Sequence, residues 1–307
     1  LTPSPNSEHR PNTEAHDVDS PFLDSLGDGA LFDALVGSQA KAVDAVKAAQ
    51  TQIMDAVSSA AARLEKPKAR LVYCGAGTSG RVALLDGVEL NPTFNWPDGR
   101  LHILVAGGSA SIVEAQEGAE DDEAAAARAV DDLALDENDV VIGLAASGTT
   151  PFVITALKAA NQSGALTIGI ANNARTPVLV EADVPVFLDT GSEALAGSTR
   201  LAAGTSQKIA LNIFSTALMV RLGKVYRGRM IDMRVTNRKL RSRALGIVRD
   251  IVGCSEQTAR DALEASDYDV KRAILMARGA GRDEAIALID KHGGRIREAD
   301  RDWMSQS

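Results

Sequence analysis

A chain of 307 residues with 45% hydrophobic and 24% charged side chains can bury a full core, as one large domain with a smaller companion or as two of ordinary size. A net charge of -8 argues against a general binder of the nucleic-acid backbone. No apolar run approaches the roughly 18 residues of a membrane span, and the polar N-terminus lacks a signal-peptide core, so a cytoplasmic protein without membrane partners is expected. Two distant cysteines, Cys74 and Cys254, form neither a disulfide framework nor a metal-binding pair.

Residues 1 to about 20 are rich in Pro, Asn, Ser and Glu and predict a mobile tail, unless it lies on another surface. A helical pattern runs from near Gly29 to Leu64, with Val43, Val46, Ile53, Val57 and Ala61 on one stripe. After Pro67 come five β-rich runs: Arg70–Cys74, Leu101–Val105, Asp139–Leu144, Leu166–Ile170 and Val184–Leu188. Most are continuous aliphatic segments, as expected of strands covered on both faces. Helical stretches lie between them at about Ser79–Glu89, Ile112–Glu117, Glu123–Ala134 and Phe152–Ser163. Strand alternating with helix predicts an α/β fold with a doubly wound, five-stranded parallel sheet.

A long helix is predicted over Thr205–Arg221, with Ile209, Ile213, Ala217 and Val220 on its apolar face, and a second over about Val235–Val252. The densest basic stretch, Arg221 to Arg243, reads as the solvated side of that second helix and its preceding loop. Gly253-Cys254-Ser255, a break at Ser266 to Asp269, and Gly279-Ala280-Gly281 divide the end of the chain into three short helices, the last over Asp283–His292. The expected division is an N-terminal tail and helical segment over 1–64, a sheet domain over 65–252 and a small helical domain over 253–307.

The chemistry is expected in two loops. The first strand runs into Gly75-Ala76-Gly77-Thr78-Ser79-Gly80-Arg81, which opens a helix. Such a GxGxxG suits a dinucleotide, but the second strand ends in Ala106-Gly107-Gly108, without the acid that would hold a ribose. Thr78 and Ser79 instead suggest a phosphate held by hydroxyls and backbone amides. The third strand leads into Ala146-Ser147-Gly148-Thr149-Thr150-Pro151, a second hydroxyl-rich loop at a helix start. In a parallel sheet both loops lie at the carboxyl edge, and together they predict a phosphomonoester pocket, although either alone reads equally as a helix cap. Glu89 ends a helix, where an acid opposes the macrodipole, which marks it as a functional candidate. Glu120, among the carboxylates of Glu117–Glu123, reads on its own as part of a solvated cluster.

These motifs, continued by Glu117-Gly118-Ala119-Glu120-Asp121, Gly197-Ser198-Thr199-Arg200, Ala203-Gly204-Thr205, Gln207-Lys208, and Thr236-Asn237 with Lys239-Leu240, resemble those of the N-acetylmuramic acid 6-phosphate etherases. That family belongs to the sugar-isomerase (SIS) fold group and is related to the glucokinase regulatory protein. The resemblance runs from about Thr13 to the C-terminal helices. It implies a lyase of cell-wall amino-sugar recycling that removes the D-lactyl ether of a phosphorylated amino sugar without metal or organic cofactor. Glu89 and Glu120 match the family's catalytic glutamates. The resemblance places Gly77, Thr78, Ser79, Ser147, Gly148, Thr149, Thr150, Ser198 and Lys239 in substrate binding. It also implies a homodimer with each pocket at the interface, and a helical C-terminus of ubiquitin-associated type. A phosphosugar-sensing regulator and an aldose–ketose isomerase are the alternatives the fold group allows. Three departures bear on which sugar acid is accepted: Leu90-Asn91 where the family has Cys-Pro, Thr149 where it has Arg, and Ala202 where it commonly has Lys.

Overall fold

The computed structural model describes residues 11–16, 21–114, 116 and 118–306. Most of the predicted mobile tail lies outside the described residues, as do Ala115 and Glu117 of the expected helix over Ile112–Glu117. The chain divides into two compact units, Leu1–Gly87 with Gly99–Ser215, and Val88–Asp98 with Thr216–Ser307. Among the described residues no helix is long and apolar enough to cross a membrane.

In chain order the first part of the molecule runs α1 (Asp28–Ala48), α2 (Gln50–Leu64), β1 (Leu71–Gly75), α3 (Gly77–Val88), α4 (Leu90–Phe94), β2 (Leu101–Val105) and α5 (Ala110–Val113). It continues through α6 (Glu123–Leu133), β3 (Val140–Ala145), α7 (Pro151–Gln162), β4 (Leu166–Ala171), α8 (Pro177–Glu181), β5 (Val184–Phe187) and α9 (Ala202–Arg221). The five aliphatic runs are the strands of one parallel sheet, ordered β2-β1-β3-β4-β5. Every residue of β1, β3 and β4 is buried, which is why they read as unbroken apolar runs rather than alternations. On one face Ala126 and Val130 of α6 and Phe152, Val153, Ala156 and Leu157 of α7 pack with Val72, Cys74 and Val141. Below the sheet's amino edge, buried Asp139 accepts from the Arg70 amide at 2.7 Å and from its guanidinium. Burial, the largest single influence, would raise that carboxyl's pKa; the hydrogen bonds from the Arg70 guanidinium and the Asp136 and Arg70 amides, with the charge of Arg70, together outweigh it and hold the group below its ordinary value.

Two predicted apolar faces are corrected. Val43 is 44% exposed, whereas Val46, Ile53, Val57 and Ala61 are buried. On α9 the buried positions include Ala210, Leu211, Phe214, Leu218 and Met219, while Ile213 and Val220 are 40% and 49% exposed. Apolar residues fall on more than one face of this helix, so two stripes fit its period, and tertiary packing selects the one carrying the aromatic ring.

The second unit holds a two-residue hairpin, β6 (Val225–Tyr226) with β7 (Arg229–Met230), then α10 (Arg238–Val252), α11 (Glu256–Ala265), α12 (Val270–Ala277), α13 (Arg282–Lys291) and α14 (Ile296–Gln306). Side chains of Asn237, Ser255 and Asp269 cap α10, α11 and α12 through backbone amides three residues on. Capping starts α10 at Arg238 rather than Val235. Four helices rather than three follow residue 253. The last was hidden because α14 is largely charged and buries little more than Ile296 and Ala299, with Asp300 accepting from the Tyr226 hydroxyl at 2.7 Å. Ile247, Val248, Ile251, Leu263, Ile274 and Leu275 centre this unit's core.

Candidate active site

Strand order marks a candidate ligand site. β1 and β3 are neighbours, with Gly75 opposite Leu144, and the chain winds outward from them in opposite directions through β2 and β4. Open α/β sheets bind ligands at such a reversal, beyond the carboxyl ends of the strands. Both predicted loops leave the sheet there.

In the first loop a Cβ on Gly75 would stand 2.7 Å from the Gly80 backbone nitrogen, so the start of α3 lies directly on the end of β1. Thr78 is half-buried and Ser79 is 6% exposed. In the second loop Gly148 has φ +75, and a Cβ there would meet the Thr176 hydroxyl oxygen at 2.1 Å. Half-buried Ser147 accepts from the exposed Thr149 amide at 3.2 Å. Thr150 occupies the cap position of α7 without a side-chain capping bond, and Pro151 follows as the first helical residue. Its hydroxyl is therefore free of the ordinary duty of a cap.

A polar network ties these loops to others at the same edge. Buried Asn173 donates to the Ala146 carbonyl at 3.0 Å and to the Thr13 hydroxyl at 2.9 Å, and the Thr13 carbonyl accepts from Gly197 at 2.9 Å. Thr13 is thus fully buried, so this part of the polar N-terminal stretch is ordered on the sheet edge. Ser198 is half-buried in the loop so anchored. A Cβ on Gly204 would stand 3.1 Å from the Thr78 methyl, which sets the start of α9 beside the first loop. Buried Glu193 accepts from the amides of Ala202 and Ala203, both at 2.9 Å. A carboxylate of the chain itself therefore occupies the N-terminus of α9. The first turns of α3 and α7 carry no acid, and their positive ends stay open.

The acidic candidates separate. Exposed Glu120 lies in a tight turn, Ala119–Asp121. A Cβ on Gly107, just past β2, would meet that of Ala119 at 3.1 Å, so the turn stands at the carboxyl end of the strand beside β1. Exposed Glu89 instead follows the last residue of α3. The first unit thus gathers Thr78, Ser79, Ser147 to Thr150, Ser198 and Glu120 at one edge of its sheet, whereas Glu89 belongs to the second unit. Lys239 is exposed in the first turn of α10, in the second unit.

Several roles were not readable beforehand. Arg81 donates to the carbonyls of Ile112 at 3.0 Å and Ser111 at 2.9 Å, closing the end of α5. Asp86, buried on α3 three residues before Glu89, accepts from Tyr73 at 2.9 Å, Asn212 at 2.7 Å and Ser215 at 3.1 Å. Burial raises its pKa against those hydrogen bonds and the charge of Lys208. Burial likewise pushes the Cys74 thiol up to about 12, which leaves it unreactive. Two of the three departures have structural settings: Leu90 is buried and Asn91 donates to the Trp96 carbonyl at 3.0 Å and to Asp98 at 2.7 Å, and Ala202 is buried with its amide on Glu193; nothing in the structure explains Thr149. The Asn172-Asn173 pair directly after a strand was a legible signal; Thr13, in a polar tail, and Glu193 offered none.

Three family descriptions match this chain: the glucokinase regulatory protein N-terminal SIS domain over residues 52–161, the SIS domain over 122–217, and the C-terminal lid domain of glucokinase regulatory protein over 227–281. A protein of Deinococcus radiodurans named N-acetylmuramic acid 6-phosphate etherase is 48% identical over 287 residues, covering 93% of this chain and 94% of that one. One of the same name from Yersinia pestis is 44% identical, covering 90% of this chain and 94% of that one. The likeness to a solved phosphoheptose isomerase of Francisella tularensis is faint, at 13% identity and a TM-score of 0.44 over 62% of this chain and 95% of that one.

Proposed function

The chain belongs to the N-acetylmuramic acid 6-phosphate etherase family, and from that premise we propose that it cleaves the D-lactyl ether of N-acetylmuramic acid 6-phosphate, yielding N-acetylglucosamine 6-phosphate and D-lactate in the cytoplasm. The observation that carries this reading is 48% identity along nearly the full length of a relative named for that activity. The geometry agrees with it: two open helix ends and their hydroxyl loops flank the reversal point of the sheet, the setting that suits a phosphate dianion.

The phosphate sits on the amides and hydroxyls of Thr78, Ser79 and Ser147 to Thr150, with Ser198 toward the sugar. The opened aldehyde makes the C2 proton acidic. One glutamate takes that proton while the other, as the carboxylic acid, protonates the ether oxygen as the C3–O bond breaks and lactate departs. Water then adds at C3 and a proton returns to C2, so one water is consumed for each ether cleaved.

In this reading the protein is a homodimer with each pocket at the interface, and Glu89, which lies outside the unit that carries the loops, serves the partner's pocket. The exposed apolar residues Phe32, Leu35, Val36 and Val43 of α1 support such pairing, since a stripe of that kind is normally covered. A complementation assay tests both claims. Glu89→Gln alone and the double variant Ser79→Ala, Ser147→Ala should each release D-lactate at least about 100-fold more slowly than the parent at substrate concentrations well below KM. Subunits exchanged between the two should recover up to a quarter of parental activity, because one pocket of a mixed dimer is intact. Lactate release by Glu89→Gln near the parental rate would remove it from the chemistry. Mixtures that exchange yet stay inactive would place both groups in one copy's pocket.

A further inference from the structure

Several cations in the second unit are paired: Lys224 and Lys271 share Asp232, Arg278 holds Asp300, Lys291 holds Asp302 and Arg229 holds Asp250. Among the described residues neither Arg238 nor Arg241 has a carboxylate within ion-pair reach, and unlike the other unpaired cations of α10 both face a cavity. Both line a cavity of about 390 Å³ between α10, α11 and the turn at Tyr268, together with Ser242, Glu256 and Arg260. The one acid there, Glu256, is held by Arg260 at 2.7 Å, so three guanidinium groups face one carboxylate and the lining keeps two uncompensated positive charges.

The cavity is also shaped. The Arg241 guanidinium carbon lies 5.1 Å from the centre of the Tyr268 ring, a cation–π contact that ties the arginine to the cavity wall. Tyr268 is delivered by two consecutive non-glycine residues in the left-handed region, Asp267 at φ 54 and Tyr268 at φ 61, a costly conformation pinned by the Tyr268 amide on the Leu263 carbonyl at 2.8 Å. At about 100° per residue, Arg238, Arg241, Ser242 and Leu245 share one stripe of α10, while Lys239 and Arg243 point elsewhere. The basic run that reads in sequence as one solvated face is therefore two faces, of which one lines a cavity.

We propose that this cup binds the phosphate group of a small metabolite, as a site separate from the sugar-phosphate pocket. Planar guanidinium donors match phosphate oxygens two at a time, and the Ser242 hydroxyl adds a further donor. The volume admits a metabolite rather than a polymer. Two excess charges favour a dianion over a monocarboxylate.

The test is calorimetric titration of the full-length protein with inorganic pyrophosphate at low ionic strength, with saturating N-acetylglucosamine 6-phosphate present to fill the other pocket. One equivalent of pyrophosphate should still bind each chain. Arg238→Ala and Arg241→Ala, taken singly, should each weaken it at least about fivefold, whereas Arg243→Ala, an equal charge change on another face, should alter it by no more than about twofold. Absence of binding, displacement by the sugar phosphate, or equal loss in Arg243→Ala would each overturn the proposal. Lactate release by these variants is a separate readout, so failure of the etherase reading would not be mistaken for failure of the cup.

Discussion

The two glycine loops look alike in sequence and are built for different reasons. In the first, Gly75 and Gly80 are small because backbone meets backbone: α3 starts so close to β1 that no side chain fits between them. In the second, Gly148 supplies a left-handed turn and clears the side chain of Thr176, which approaches from the segment before α8. One loop is shaped by packing within its own strand–helix unit, the other by a neighbour nearly thirty residues away. Similar spelling thus conceals a local constraint and a long-range one, and only the second can be relieved from outside.

Substitution of the glycines gives the largest expected effect. Gly75→Ala and Gly148→Ala should each cost about 3 kcal/mol in a denaturant titration, from overpacking and, at Gly148, an unfavourable φ. Thr176→Gly should recover at least about 1 kcal/mol of the Gly148→Ala loss in a double-mutant cycle, and none of the Gly75→Ala loss. Equal rescue of both would erase the distinction between the loops.

Binding should respond next. Ser79→Ala and Ser147→Ala should each raise the Kd for the 6-phosphosugar about tenfold, the ordinary worth of one hydrogen bond to a charged group. Were one serine indispensable and the other silent, the loops would not be sharing a single phosphate.

The smallest effect is in pH, at the far end of the helix that the first loop launches. Asp86 has a folded pKa raised by burial above its ordinary 3.8. Its contribution to stability is therefore complete below about 3.8 and is lost as pH rises through the folded value. Asp86→Asn should flatten that portion of the stability profile, and Asp139→Asn should leave it in place. Asp139 works with the opposite sign, because Arg70 depresses its pKa and stability is lost as pH falls through that value.

The sheet was legible because strands covered on both faces must be aliphatic throughout, and each of the five observed strands begins and ends within one residue of its predicted run. Both phosphate-loop candidates were legible for a related reason, as glycine and hydroxyl clusters directly follow such strands. What was not legible depends on contacts distant in the chain. Which stripe of α9 is buried, the anchoring of Thr13 on Asn173 and the seat of Glu193 on Ala202 and Ala203 leave no local period or composition behind.

Glu193 has a consequence for where an anion lands. With that carboxylate seated on α9, the positive end of this helix is already answered by the protein itself, unlike those of α3 and α7. On the proposed function, a phosphate would then have one wrong place fewer to land. Neutralising the plug as Glu193→Gln is expected to create a competing berth.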